Sequence, residues 1–143
     1  MTKSVLCAVD ISNGDHDAPV LKQAARLADL DGAQLDVVTV LPDFGERWVS
    51  GFFEPDFHEK AVAEAHDQLV HLCAAALGEE RNASIRHVVA TGTAYQEILK
   101  TAEGAGSDLI VIGAHTPDLK DYLLGPNAAR VVRHSSASVY VVR

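Results

Sequence analysis

The residues best suited to chemistry lie in one stretch, residues 112–134, which read IGAHTPDLKDYLLGPNAARVVRH. Gly113 ends an apolar run, and Gly125 stands where a helical pattern begins, with His115 and Thr116 in the polar loop between them. A glycine at a strand end has no Cβ, so a ligand or another backbone can approach closely. A helix N-terminus presents N–H groups without intrahelical partners and a partial positive charge, which suit a phosphate. The pair therefore reads either as a phosphate cradle or as a turn followed by a helix start. Its spacing fits neither GxGxxG nor GxxxxGK[ST]. Asp10 ends the first apolar run. Its carboxylate can accept from a ribose hydroxyl or an amide, help place a metal, or cap its own turn. His115 can donate to a phosphate. The other histidines do not form a ligand set. His66 and His71 are five apart, wrong for one helix face, and His58, His87 and His134 stand among surface-type residues. No side-chain metal site is expected. No Ser/His/Asp arrangement and no GxSxG elbow is present, so no catalytic residue is assigned.

The elements that must position these residues alternate. Residues 4–10 (SVLCAVD) form a short apolar run of the kind buried on both faces of a parallel sheet. Residues 18–32 read as a helix, with Pro19 in the first turn, Asp17 near the cap and Gly32 as the stop. Strands follow at 34–41, 84–91, 108–112 and 138–142, and helices at 59–77, 94–105 and 127–134. The order βαβαβαβαβ implies right-handed crossovers and a doubly wound parallel sheet with helices on both faces, as one domain over 1–143. In such sheets ligands bind beyond the carboxyl ends of the strands, which directs attention to Asp10, Val40, Gly92 and Gly113. The final strand, at the chain end, is expected at a sheet edge, where an apolar strand invites a second copy. A homodimer through Val139 to Val142 is expected on that ground. Residues 43–57 hold all four Phe and the single Trp. That segment packs on the domain, covers a ligand or meets a protein partner.

Composition narrows the classes. The 143 residues are 48% hydrophobic and 22% charged, enough for a real core. A net charge of −8 argues against nucleic-acid and membrane-surface binding. Residues 1–80 hold 5 Lys/Arg against 15 Asp/Glu, and residues 81–143 hold 7 against 5, so an anion meets less repulsion in the second half. The apolar run near the start is too short for a signal peptide or a membrane span, so a cytoplasmic protein is expected. Cys7 and Cys73 lack CxxC spacing and read as reduced core thiols.

Three stretches together resemble the universal stress protein family along the whole chain. They are AVDIS, DVVTVLP and DLIVIGAHTPDLKDYLLGPNAARVVRHSSASVYVVR. The resemblance implies a Rossmann-like sheet of order 3-2-1-4-5, dimers through the last strand, a role in the stress response, and binding of ATP or another adenine nucleotide with Mg²⁺ or Mn²⁺ on the phosphates. The ATP-binding pattern of that family is G-x2-G-x9-G-[ST]. Here Gly113 matches the first glycine, Thr116 replaces the second, eight residues separate Thr116 from Gly125, and Pro126 replaces Ser or Thr. A branch with shorter spacing and YLLGSNA is most similar. The resemblance places Ala8, Val9 and Asp10 along the nucleoside, Val40 at the adenine, and Ile112 and Gly113 as the floor. His115, Thr116, Gly125, Pro126, Asn127 and Ala128 then surround the phosphates. Pro126 lacks both an N–H and a hydroxyl, and at about 0.5–1.5 kcal/mol per hydrogen bond its presence costs the cradle roughly tenfold in affinity.

The alternative function is a nucleotide-independent, dimeric regulatory module of the same fold, using segment 43–57 and the last strand to meet protein partners. Nucleotidyl transferase and PP-loop enzymes are disfavoured, because AVDISNGDHD contains neither HxGH nor SGGxDS. A receiver domain needs an acceptor Asp after the third strand, where this chain has Ala90, Thr91 and Gly92.

Overall fold

Continuous burial along the central apolar runs builds a sheet with two covered faces. Strands β1 (Ser4–Ala8), β2 (Gln34–Leu41), β3 (Arg86–Thr91), β4 (Leu109–Gly113) and β5 (Ser138–Val142) pair in parallel in the order 3-2-1-4-5. They are seen in a computed structural model that describes residues 2–42, 57–114 and 125–143. The helices are α1 (Gly14–Asp31), α2 (Phe57–Leu77), α3 (Glu79–Ala83), α4 (Ala94–Ala105) and α5 (Pro126–His134). On β1, Val5 and Cys7 join one core cluster with α1 and α2, while Leu6 and Ala8 join another with α4 and α5. β4 divides the same way, Val111 to the first cluster, Ile110 and Ile112 to the second. Period-two geometry thus explains why these strands are apolar at every position. Cys7 pairs in register with Val37 on one side and Val111 on the other, at the centre of the sheet.

The helices dock by apolar stripes. Val20, Leu21, Ala24 and Ala28 of α1 are buried, as are Ala65, Leu69 and Cys73 of α2 and Ile98 and Ala102 of α4. Burying a side chain the size of Leu21 or Leu69 contributes about 1.5–3 kcal/mol. α4 ends at Gly106, whose φ of 67° is left-handed; its N–H bonds Glu103 O and the Ser107 N–H bonds Ala102 O. That paired closure satisfies the last carbonyls of the helix. Both cysteines are buried and free. Burial holds the Cys7 thiol well above its ordinary value and lifts Cys73 to about 11, so neither is poised to react.

Local expectations are corrected at β1, α1, β3 and His87. β1 stops at Ala8, and Val9 adds one more ladder bond to Val38 O before Asp10 caps a 3₁₀ turn over Ile11–Asn13. That turn runs directly into α1, which therefore begins at Gly14 and carries Pro19 inside it rather than in its first turn. Asp17 is correspondingly a helical residue, turned back toward the strand end, and not a cap. The third strand begins at Arg86, because the preceding residues are drawn into α3 and its closing turn, where Ser84 N–H bonds Arg81 O. His87, read as a surface residue, is half-buried. Its Nε2 lies 2.7 Å from Asn82 Oδ1, and its ring meets His66 edge-on with centroids 6.0 Å apart. Segment 43–57 lies, apart from Phe57, outside the described residues.

Candidate functional site

The strand order places β1 beside β4, yet the chain leaves them in opposite directions. β1 feeds α1 and then β2 on one side, while β4 feeds α5 and then β5 on the other. The crevice between the two departing connections is where an open sheet admits a ligand. A cavity of about 660 Å³ opens there. Ala8, Val9 and Asp10 line it from the end of β1, Val40 from β2, and Ile112 and Gly113 from β4. Gly125, Pro126, Asn127 and Ala128 line it from the start of α5. Ten of the twelve residues singled out from the sequence thus share one wall-to-wall space. His115 and Thr116 lie outside the described residues. Gly92 is not among the lining residues; its φ is 142°, and its N–H bonds Leu41 O of β2, continuing the β2–β3 ladder past Thr91.

The walls differ in character. Val38, Val40, Ala94, Ile98 and Ile112 give the cavity an apolar lining. Asp10, Ser12, His16, Asp17 and Asn127 give it a polar part. Asp10 is exposed there, and its Oδ1 accepts from the Ser12 N–H at 2.9 Å and the Ser12 hydroxyl at 2.5 Å. Of the roles open to Asp10 in the sequence, the turn cap is thus the one its described contacts display. Asp17 was missed. It is only 9% exposed, lines the cavity, and its Oδ2 accepts the Asp10 N–H at 2.5 Å. Burial pushes its carboxyl above the ordinary range, the Asp10 N–H bond pulls it back, and the neighbouring Asp10 charge pushes it up again. The sequence carried one sign of this, an acid seven residues after Asp10 in the same connection, but nothing local says that the helix starts early enough to bring it back.

At the mouth of α5, Gly125 N–H bonds Ala114 O at 2.5 Å, and Ala114 N–H bonds Val142 O at 2.8 Å. Pro126 is the first helical residue, a position where its fixed φ and missing N–H are well tolerated. The N–H groups of Asn127 and Ala128 have no partner within α5, because the carbonyls four residues back precede the helix. A Cβ on Gly113 would stand 3.4 Å from Val20 and 3.8 Å from Asp17 Oδ1, ordinary contacts. Protein packing therefore leaves room for a methyl there, on the side facing α1.

A second depression, of about 620 Å³, lies between α2 and β3 beside His58 and His66. Among the described residues, no three His, Cys, Asp or Glu side chains gather as metal ligands. Among them, too, no helix is long and apolar enough to cross a membrane.

The cavity's geometry can be set against known proteins. The universal stress protein family model matches residues 1–143. Universal stress protein G of Escherichia coli O157:H7 is 29% identical over 145 residues, covering all of both chains. The solved structure of the MJ0577 protein of Methanocaldococcus jannaschii superposes with a TM-score of 0.76 at 27% identity, over 99% of this chain and 96% of that one. The universal stress protein of Archaeoglobus fulgidus, solved in complex with dAMP, superposes with a TM-score of 0.65 at 22% identity, over 99% and 98% of the two chains. With sheet order, connection reversal and full-length match in agreement, this chain belongs to the universal stress protein family.

Proposed function

We propose that this universal stress protein is a cytoplasmic stress-response regulator that binds ATP or another adenine nucleotide in the cavity between β1, β4 and α5. The observation carrying this reading is the convergence of Ala8, Val9, Asp10, Val40, Ile112, Gly113 and the start of α5 on one space at the point where the sheet reverses. The apolar lining at Val38, Val40 and Ile98 suits a nucleobase, and the α5 N-terminus suits a phosphate. The A. fulgidus relative's complex with dAMP supports adenine as the base. His115 and Thr116 complete the phosphate end in this reading. The donor set for a divalent cation is thin but of the right kind. Asp10 and Asp17 supply oxygen, and with no three-ligand group among the described residues, Mg²⁺ or Mn²⁺ arrives on the phosphates. Two copies pair through β5, which is an edge strand with Tyr140 37% exposed.

Isothermal titration with adenine, guanine and cytosine nucleotides tests the reading. Saturable binding of adenine nucleotides, at least about tenfold tighter than the others, is expected. No heat from adenine nucleotides at millimolar concentration defeats it.

A further inference from the structure

Where β1 and β4 part, one backbone donor finds a side chain in place of a strand. Their register ends at Ala8 and Ile112. Along a parallel strand, successive residues turn their peptide groups to opposite neighbours. On β1, Ser4 O accepts the Asp108 N–H from the β4 side, and Val9 N–H donates to Val38 O on the β2 side. Asp10 shares the parity of Ser4, so its N–H turns toward β4. There β4 is already leaving for β5, with Ala114 N–H bonding Val142 O. The acceptor that meets the Asp10 N–H is Asp17 Oδ2, 2.5 Å away on α1. The other oxygen, Oδ1, lies 3.8 Å from where a Gly113 Cβ would stand. One carboxylate from α1 thus reaches both strand ends. Asp10 is held from its side chain as well, because its Oδ1 accepts the N–H and the hydroxyl of Ser12.

We infer that Asp17 is a positioning residue for the ligand: it stands in for a β4 carbonyl where the two strands part, and so fixes Asp10 at the cavity wall. The inference rests on the adenine-nucleotide reading above and gives that site a residue that acts through Asp10. A part-buried N–H without an acceptor destabilises the conformation that strands it. Without Asp17, the chain from Val9 to Ser12 turns to satisfy that N–H, and the Asp10 carboxylate moves with it. An amide oxygen can accept the same bond, and a methyl cannot. The titration of Asp17 carries the mark of this contact: burial raises its carboxyl, and the bond from the Asp10 N–H draws it back down.

Two measurements on the full chain test this. In amide NMR spectra of the ligand-free wild type, the Asp10 amide proton is expected downfield of the ordinary backbone range, as a charge-assisted bond requires, and Asp17→Ala should return it upfield. An ordinary Asp10 shift in the wild type, or one that Asp17→Ala leaves in place, overturns the inference without any ligand. Titration calorimetry with AMP then reads the effect on binding. Asp17→Ala should weaken AMP by at least about tenfold. Asp17→Asn should bring the affinity back to within about threefold of the wild type, a rescue that loss of packing alone would not predict. Equal affinities in the wild type and a folded Asp17→Ala, or an Asp17→Asn as weak as Asp17→Ala, overturn the positioning role. If Asp17→Ala does not fold, the wild-type amide shift and the Asp17→Asn affinity decide, and an Asp17→Asn at least tenfold weaker than the wild type overturns the role. A wild type that binds no adenine nucleotide defeats the underlying reading instead, an outcome that needs no variant.

Discussion

Asp17 and His87 show how a side chain's surroundings become a pH dependence. Burial lifts the Asp17 carboxyl, so the folded protein holds a proton there at pH values where the unfolded chain has released it. Stability from this group is therefore complete below the ordinary carboxylate value of about 4 and falls as pH rises through the lifted one. Asp17→Asn should raise the melting temperature at pH 7.5, and the gain should vanish below about pH 4. Thermal melts of both proteins between pH 4 and 8 measure it; a variant less stable at every pH speaks against the account. His87 has the opposite sign. Burial, and then the neighbouring His66, hold its imidazole below the ordinary value, so the folded state resists the proton the unfolded chain accepts. Stability should be full above about pH 6.5 and decline as pH falls through that value toward the lowered one. Urea unfolding of His87→Gln between pH 7.5 and 5 should show a flatter profile than the wild type. Neither residue's environment was legible locally. Asp17 looked like a cap because helix starts are read from caps and prolines, and here the 3₁₀ turn moved the start to Gly14. His87 looked exposed because its burial comes from Asn82 and from His66 across on α2.

At the level of elements, periodicity carried most of the information, and its failures lie at ends. β2, α4 and β5 begin and end where residue pattern and flanking Pro and Gly place them. The boundaries of β1, α1 and β3 shifted where a turn or short helix, stabilised by Asp10, Gly78 or Ser84, competed for the same residues. The stripe on α2 was readable, and its energetic weight can be measured. Leu69 is fully buried among the residues that join α2 to the sheet, so Leu69→Ala should cost about 3 kcal/mol. Leu30, at the end of α1 and 74% exposed, should cost less than about 0.5 kcal/mol on the same change. Chemical denaturation of both variants decides; similar losses would mean that α2 is not anchored as described.

For the molecule as a whole, sheet order decides where function can sit, and it is the feature least visible in local pattern. Alternation alone predicts a parallel sheet, but the neighbours of β1 came from resemblance, because strand order is set by pairings that no local stretch of sequence records. Once β1 lies between β2 and β4, the cavity follows from the two diverging connections, and β5 falls at an edge. The edge makes a prediction of its own. Tyr140→Lys, in the middle of β5 where the side chain is 37% exposed, should convert a dimer to a monomer in sedimentation velocity at micromolar concentration. A wild type that sediments as a monomer there contradicts the pairing. Site residues scattered from Ala8 to Ala128 were recognisable one by one, but only the fold shows the described ones sharing a space. The most direct measurement separates folding from binding at the phosphate end. Asn127 is exposed in the first turn of α5, where a new negative charge favours the helix by about 0.3–1 kcal/mol yet opposes a bound phosphate. Titration calorimetry and thermal melts of Asn127→Asp with AMP should give an unchanged or higher melting temperature and an affinity at least about tenfold weaker than that of the wild type. Equal AMP affinity in the two proteins would contradict a nucleotide phosphate at the start of α5.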